Sequence, residues 1–77
     1  MKEEKVKDAI RIILSDEVHY STTLNYAINY CKYALGMEDM KLRTQCLYIL
    51  NNIIYWRHPM AKKVREALKE FVSDGRK

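Results

Sequence analysis

The amino-acid sequence predicts an all-α fold. Two observations carry this expectation. Only two glycines and one proline occur in 77 residues, which is poor material for turns between strands. Apolar residues recur at three- and four-residue spacing along nearly the whole chain, with no low-complexity tract between them. The periodicity resolves into four helices with short connections. Short connections favour antiparallel neighbours. A compact four-helix bundle and two stacked antiparallel helical hairpins both satisfy the same pattern.

The first helix is expected over about residues 3–15. Glu3 and Glu4 stand where the helix dipole favours negative charge. Val6, Ala9, Ile10, Ile13 and Leu14 form the apolar stripe, with Lys7, Asp8 and Arg11 outside it. The second helix is expected over about 22–35, with Ser21 as N-cap and Gly36 in the left-handed position just past its end. Leu24, Ala27, Ile28, Cys31 and Leu35 make its inner face. The third is expected over about 40–56, capped by Asp39, with Leu42, Cys46, Ile49, Leu50, Ile53 and Ile54 facing inward. The fourth is expected over about 59–73. Pro59 suits the first helical position, His58 takes the cap, and the helix ends before Gly75. Its stripe is Met60, Val64, Ala67, Leu68 and Phe71.

Ala34-Leu35 and Ala67-Leu68 each close a helix 33 residues apart. The register between them matches at only a few apolar positions. A solenoid needs roughly three repeats or more, and this chain holds two at most.

Seventy-seven residues make one domain, residues 1–77. A chain this short has a thin stability margin, which favours oligomerisation where disulfides and metals are absent. The charged start, Met1 to Lys5, does not read as a signal peptide. Cys31 and Cys46 therefore read as reduced thiols of a cytoplasmic protein. No apolar run approaches the length of a membrane span.

The charge is unevenly placed. Residues 1–39 hold five Lys/Arg against seven Asp/Glu, a net −2; residues 40–77 hold nine against three, a net +6. Such a split suits an acidic partner or head-to-tail self-association.

Catalysis is not expected, and no catalytic residue is assigned. His19 lies near Asp16 and Glu17, but nothing pairs with them at metal-ligand spacing, so no metal or other cofactor is assigned. Both cysteines fall on apolar stripes, where a thiol acts as a small hydrophobe. No glycine-rich loop occurs, and no small-molecule substrate is expected.

Two features point to partners. The first is the tyrosines, six against one phenylalanine. Tyr26, Tyr30 and Tyr33 share a face of the second helix, well around from its Leu24/Ile28/Cys31 stripe. Together the two faces make an apolar arc of roughly 220°, wider than a surface helix needs. Tyr48 and Tyr55 lie one heptad apart on the third helix, flanked by Thr44, Asn51 and Asn52, with no charge on that face. Tyr26, Tyr30, Tyr33, Tyr48, Asn51 and Tyr55 thus form a candidate protein-interaction face, for a protein partner or a second copy of the chain. The bland alternative is that these rings cap the core.

The second feature is basic. Lys62, Arg65 and Lys69 follow i, i+3, i+7 on the fourth helix, with Arg57 and Lys63 near its start and Arg76 and Lys77 past its end. This is an electrostatic footprint for phosphates, and Trp56 or Tyr55 beside Arg57 would offer a stacking platform. Glu66 and Glu70 interleave with the lysines, which is also how an ordinary solvated helix reads. The sequence therefore points to a small non-catalytic interaction module, with a nucleic-acid-associated protein as the alternative.

Overall fold

A computed structural model describes residues 2–74. Within them the chain forms four α-helices: α1 (Lys2–Ser15), α2 (Ala27–Ala34), α3 (Asp39–Asn51) and α4 (Ala61–Asp74). A single 3₁₀ turn, Glu17–His19, follows α1. The helices pack α1 on α2, α2 on α3, α3 on α4 and α4 on α1, closing a four-helix bundle. The cationic and glycine positions Gly75, Arg76 and Lys77 lie outside the described residues.

The core is one cluster. Val6, Ile10 and Ile13 of α1 meet Ile28 and Cys31 of α2, Leu42, Cys46 and Ile49 of α3, and Val64, Leu68 and Phe71 of α4. These are the stripes read from the sequence, so the helical period carries through to the packing. Neighbouring helices are also tied by polar links. Tyr20 donates its hydroxyl hydrogen to the carbonyl of Leu14. Gln45, nearly buried, donates from Nε2 to the Tyr30 carbonyl at 2.9 Å. The Arg43 guanidinium lies 5.0 Å above the centre of the Phe71 ring. Lys5 and Glu70 stand 3.8 Å apart across α1 and α4.

The second helix is much shorter than the expected 22–35. Residues 20–26 form turns instead, with Leu24 N–H bonded to His19 O and Ala27 N–H to Leu24 O. Ser21, Thr22, Thr23 and Asn25 explain this, because their side chains compete for the local backbone and their helix propensity is low. Leu24 still reaches the core and is fully buried. Ser21 is not a cap; Tyr26 holds that position without a side-chain bond.

Gly36 is not left-handed. The helix instead tightens at its end, with Gly36 N–H bonded to Tyr33 O and Met37 N–H to Ala34 O, a geometry that needs no positive φ. The left-handed residue is Asp39, at φ 53°. Asp39 is the first residue of α3 rather than its cap, and the extended Glu38 precedes it. Aspartate tolerates this region better than most side chains. The Asp39 N–H donates to Glu3 Oε2 of α1 at 3.3 Å.

The third helix ends at Asn51, not near 56. Asn52 donates from Nδ2 to the Tyr48 carbonyl, and the chain then turns through Ile53 to Trp56. Ile54 consequently faces solvent rather than the core. The fourth helix begins at Ala61 rather than Pro59. His58 does cap its start: Nδ1 accepts from Met60 N–H at 3.0 Å, and the His58 carbonyl accepts from Ala61 N–H at 2.9 Å.

Candidate interaction surface

The tyrosines project outward on one side of α2 and α3. Tyr26, Tyr33 and Tyr55 are more than two-thirds exposed, and Tyr30 and Tyr48 are partly so. The Tyr30 and Tyr48 rings meet, their centroids 5.7 Å apart and tilted by 32°. That contact joins α2 to α3 on the outside of the bundle, above the Gln45 bond. Tyr26 and Tyr55 line a common groove of about 440 Å³ with Asn51, Asn52 and Ile54. Thr23 also lines it, and its Oγ1 is buried without a hydrogen-bond partner.

The expected face residues fall into two groups: Tyr30 meets Tyr48, while Tyr26, Asn51 and Tyr55 share the groove. Tyr33 is exposed, but its ring meets none of the others. The residue missed is Ile54, which is 63% exposed and joins the tyrosines at the groove. Its apolar side chain fitted the third helix's inner stripe, and only the early end of that helix turns it outward.

The basic positions divide. Arg57, Lys62, Lys63 and Lys69 are exposed. Arg65 is not on a free stripe. It is half-buried, and its guanidinium donates to the Trp56 carbonyl at 2.6 Å and the Ile53 carbonyl at 3.3 Å. Both carbonyls lie in the turn past the end of α3; that of Ile53 also accepts from the Trp56 N–H at 3.1 Å, so the guanidinium is its second donor. Trp56 is fully buried, so it offers no stacking platform; Tyr55 remains open beside Arg57.

The bond from Trp56 to Asp16 was not legible in the sequence. Trp56 Nε1–H donates to Asp16 Oδ2 at 2.7 Å, and His19 Nδ1 approaches the same oxygen at 2.7 Å. The His58 ring stacks on Trp56 at 5.3 Å. The Trp56 hydrogen bond, opposed by partial burial and aided by His19, holds the Asp16 carboxyl below its ordinary value. Asp16 is thus a structural acceptor joining the end of α1 to the α3–α4 turn, rather than a loose loop acid.

The thiols are inert by position. Cys31 and Cys46 are unpaired and fully buried. Burial pushes each up to about 12, and for Cys31 the neighbouring Cys46 adds to the effect. Among the described residues no helix is long and apolar enough to cross a membrane. Comparison with protein-family models, with curated proteins and with solved structures finds no match to this chain.

Proposed function

We propose that this chain is a small, non-catalytic, cytoplasmic interaction module, a regulator or subunit whose tyrosine face pairs with a second copy or a partner protein. The observation that carries the reading is the uncharged surface of Tyr26, Tyr30, Tyr48, Ile54 and Tyr55. At about 200 Å² for a whole tyrosine, the exposed parts of these side chains sum to roughly 600 Å² over the two groups. A standard interface buries about 800 Å² per partner, so the patch with its asparagine rim is of the right order. Neutrality favours self-pairing, because a two-fold contact sets each patch against its own copy and any net charge would repel.

Size exclusion with light scattering at tens of micromolar, in low and moderate salt, tests this. A dimer indifferent to salt, weakened by Tyr30→Ala and Tyr48→Ala, supports the reading. A strict monomer at high concentration ends its self-pairing form. The alternative, phosphate binding through Arg57, Lys62, Lys63 and Lys69, draws support from the exposed Tyr55 next to Arg57. It requires retardation of single-stranded nucleic acid that weakens steeply with salt, and unchanged mobility at low salt removes it.

A further inference from the structure

A second trough lies on the outer side of α3 and α4. These helices run antiparallel: Arg65 reaches back to Ile53, while Arg43 lies over Phe71. Between them is an open groove of about 540 Å³. Its apolar floor is Leu47, Leu50 and Ile54 on one side and Val72 on the other, and its cationic edge is Arg65 and Lys69. Leu47 is 39% exposed and Ile54 is 63% exposed, so apolar surface stands open along the floor.

One wall is a helical stripe of α4, with positions 65, 69 and 72 at i, i+4, i+7; the other is Leu47 and Leu50 of α3, continued by Ile54 in the turn past its end. A straight trough between two antiparallel helices accepts the ridge of a third. Its volume lies within the range of ordinary ligand sites, so charge has to decide the occupant. The two remaining lining residues, Asn51 and Ser73, are neutral, and no carboxylate lines the trough. Arg65 bonds only to carbonyls, so its charge is not neutralised there. Lys69 makes no ion pair among the described residues. The adjacent acid, Glu70, faces Lys5 on the opposite side of α4.

We infer that this trough receives an amphipathic helix of a partner protein whose apolar stripe is edged by carboxylates. Such a helix covers the floor and answers both cations. A nucleic acid answers the cations but leaves Leu47 and Ile54 uncovered. A neutral apolar helix covers the floor but desolvates two charges without partners. A second copy docked by the same surface brings a second cationic edge and no carboxylate to answer either. The trough shares Asn51 and Ile54 with the tyrosine groove but none of the tyrosines, so it stands even if that face is idle.

The probe is a fluorescein-labelled synthetic helix of about 18 residues, long enough to be partly helical alone, with leucines at helical spacing and glutamates along one edge. The controls are a scrambled peptide of the same composition and a single-stranded oligonucleotide of equal charge. Anisotropy with the full chain is expected to give at least tenfold tighter binding for the amphipathic peptide than for either control. Amide shifts should concentrate at Leu47, Ile54, Lys69 and Val72. Lys69→Glu and Leu47→Asp, both at exposed positions, should each weaken binding at least tenfold, while Tyr30→Ala leaves it unchanged. Equal binding of a control, shifts on another face, or no binding of the amphipathic peptide at all overturns the inference. Loss on Tyr30→Ala alone would instead assign the peptide to the tyrosine face and equally overturn it.

Discussion

The two buried thiols give the sharpest quantitative test of the packing. Burial moves Cys31 and Cys46 from 9.0 to about 12. At pH 8 the thiolate fraction of each folded cysteine is therefore lower by about a thousandfold, since each pH unit is a factor of about ten. Both sulfurs are also fully buried, so a bulky disulfide reagent reaches them only when the helices open. A domain of this size has roughly 4–12 kcal/mol of stability, which leaves at most about one molecule in a thousand open. Either route alone thus slows labelling by about a thousandfold or more relative to the unfolded chain. Stopped-flow labelling with Ellman's reagent, native and in urea, measures the ratio directly. A thiol that reacts in the native protein within tenfold of its unfolded rate would refute the reasoning. The raised thiols also shape the alkaline limb of stability. Between pH 9 and 12 the unfolded chain releases thiol protons that the folded chain keeps. The stabilisation is full below pH 9 and falls by about 1.4 kcal/mol per pH unit for each cysteine above it. The C31A/C46A variant should lose stability less steeply over that range, and an equally steep limb would contradict the assignment.

Other perturbations test the remaining joints. Trp56→Phe removes the donor to Asp16; the Asp16 carboxyl should titrate at higher pH by NMR. Because its folded value is lowered, its contribution is present above about pH 3.8 and lost on acidification, so the variant's acid limb should be flatter. Arg65→Met strips the donor from the Trp56 carbonyl, while that of Ile53 keeps the Trp56 N–H, and should cost about 1–2 kcal/mol in urea melts; a change near zero would mean water replaces the guanidinium. Leu24→Ala should cost about 2–4 kcal/mol despite lying outside any helix, because its side chain is fully buried. At Asp39, Gly should match or exceed the parent while Val is less stable by about 1 kcal/mol or more, as the positive φ requires; the reverse order would place the left-handed residue elsewhere.

The sequence and the structure part company at specific residues. α1 was legible because its stripe, acids and length all agree, and its observed span is Lys2–Ser15. The His58 cap was legible because histidine before proline and an apolar run is a local signal. The missing first turns of α2 arise from Ser21 to Asn25, a run of low helix propensity in which the Thr22 hydroxyl bonds back to the His19 carbonyl. Ile54 was misplaced because helical period alone cannot mark where a helix stops. The Asp16–Trp56 bond joins residues 40 apart in sequence, and no local pattern announces such a pair. Arg65 read as one cation among several, since its role depends on carbonyls of the turn between α3 and α4.

The closure of the bundle by its first and last helices also sets the order in which it assembles. Three of the four helix contacts join sequence neighbours, while α1 meets α4 across nearly the whole chain. Closing that longest loop carries the largest entropic cost before any contact rewards it. The α1–α4 junction around Val6 and Phe71 is therefore expected to consolidate last, which φ-values below about 0.3 for Val6→Ala and Phe71→Leu would show. Weakening it should quicken unfolding and leave the folding rate nearly untouched. The lifetime of the native chain is then governed at this junction, and its speed of formation by the hairpins between neighbours.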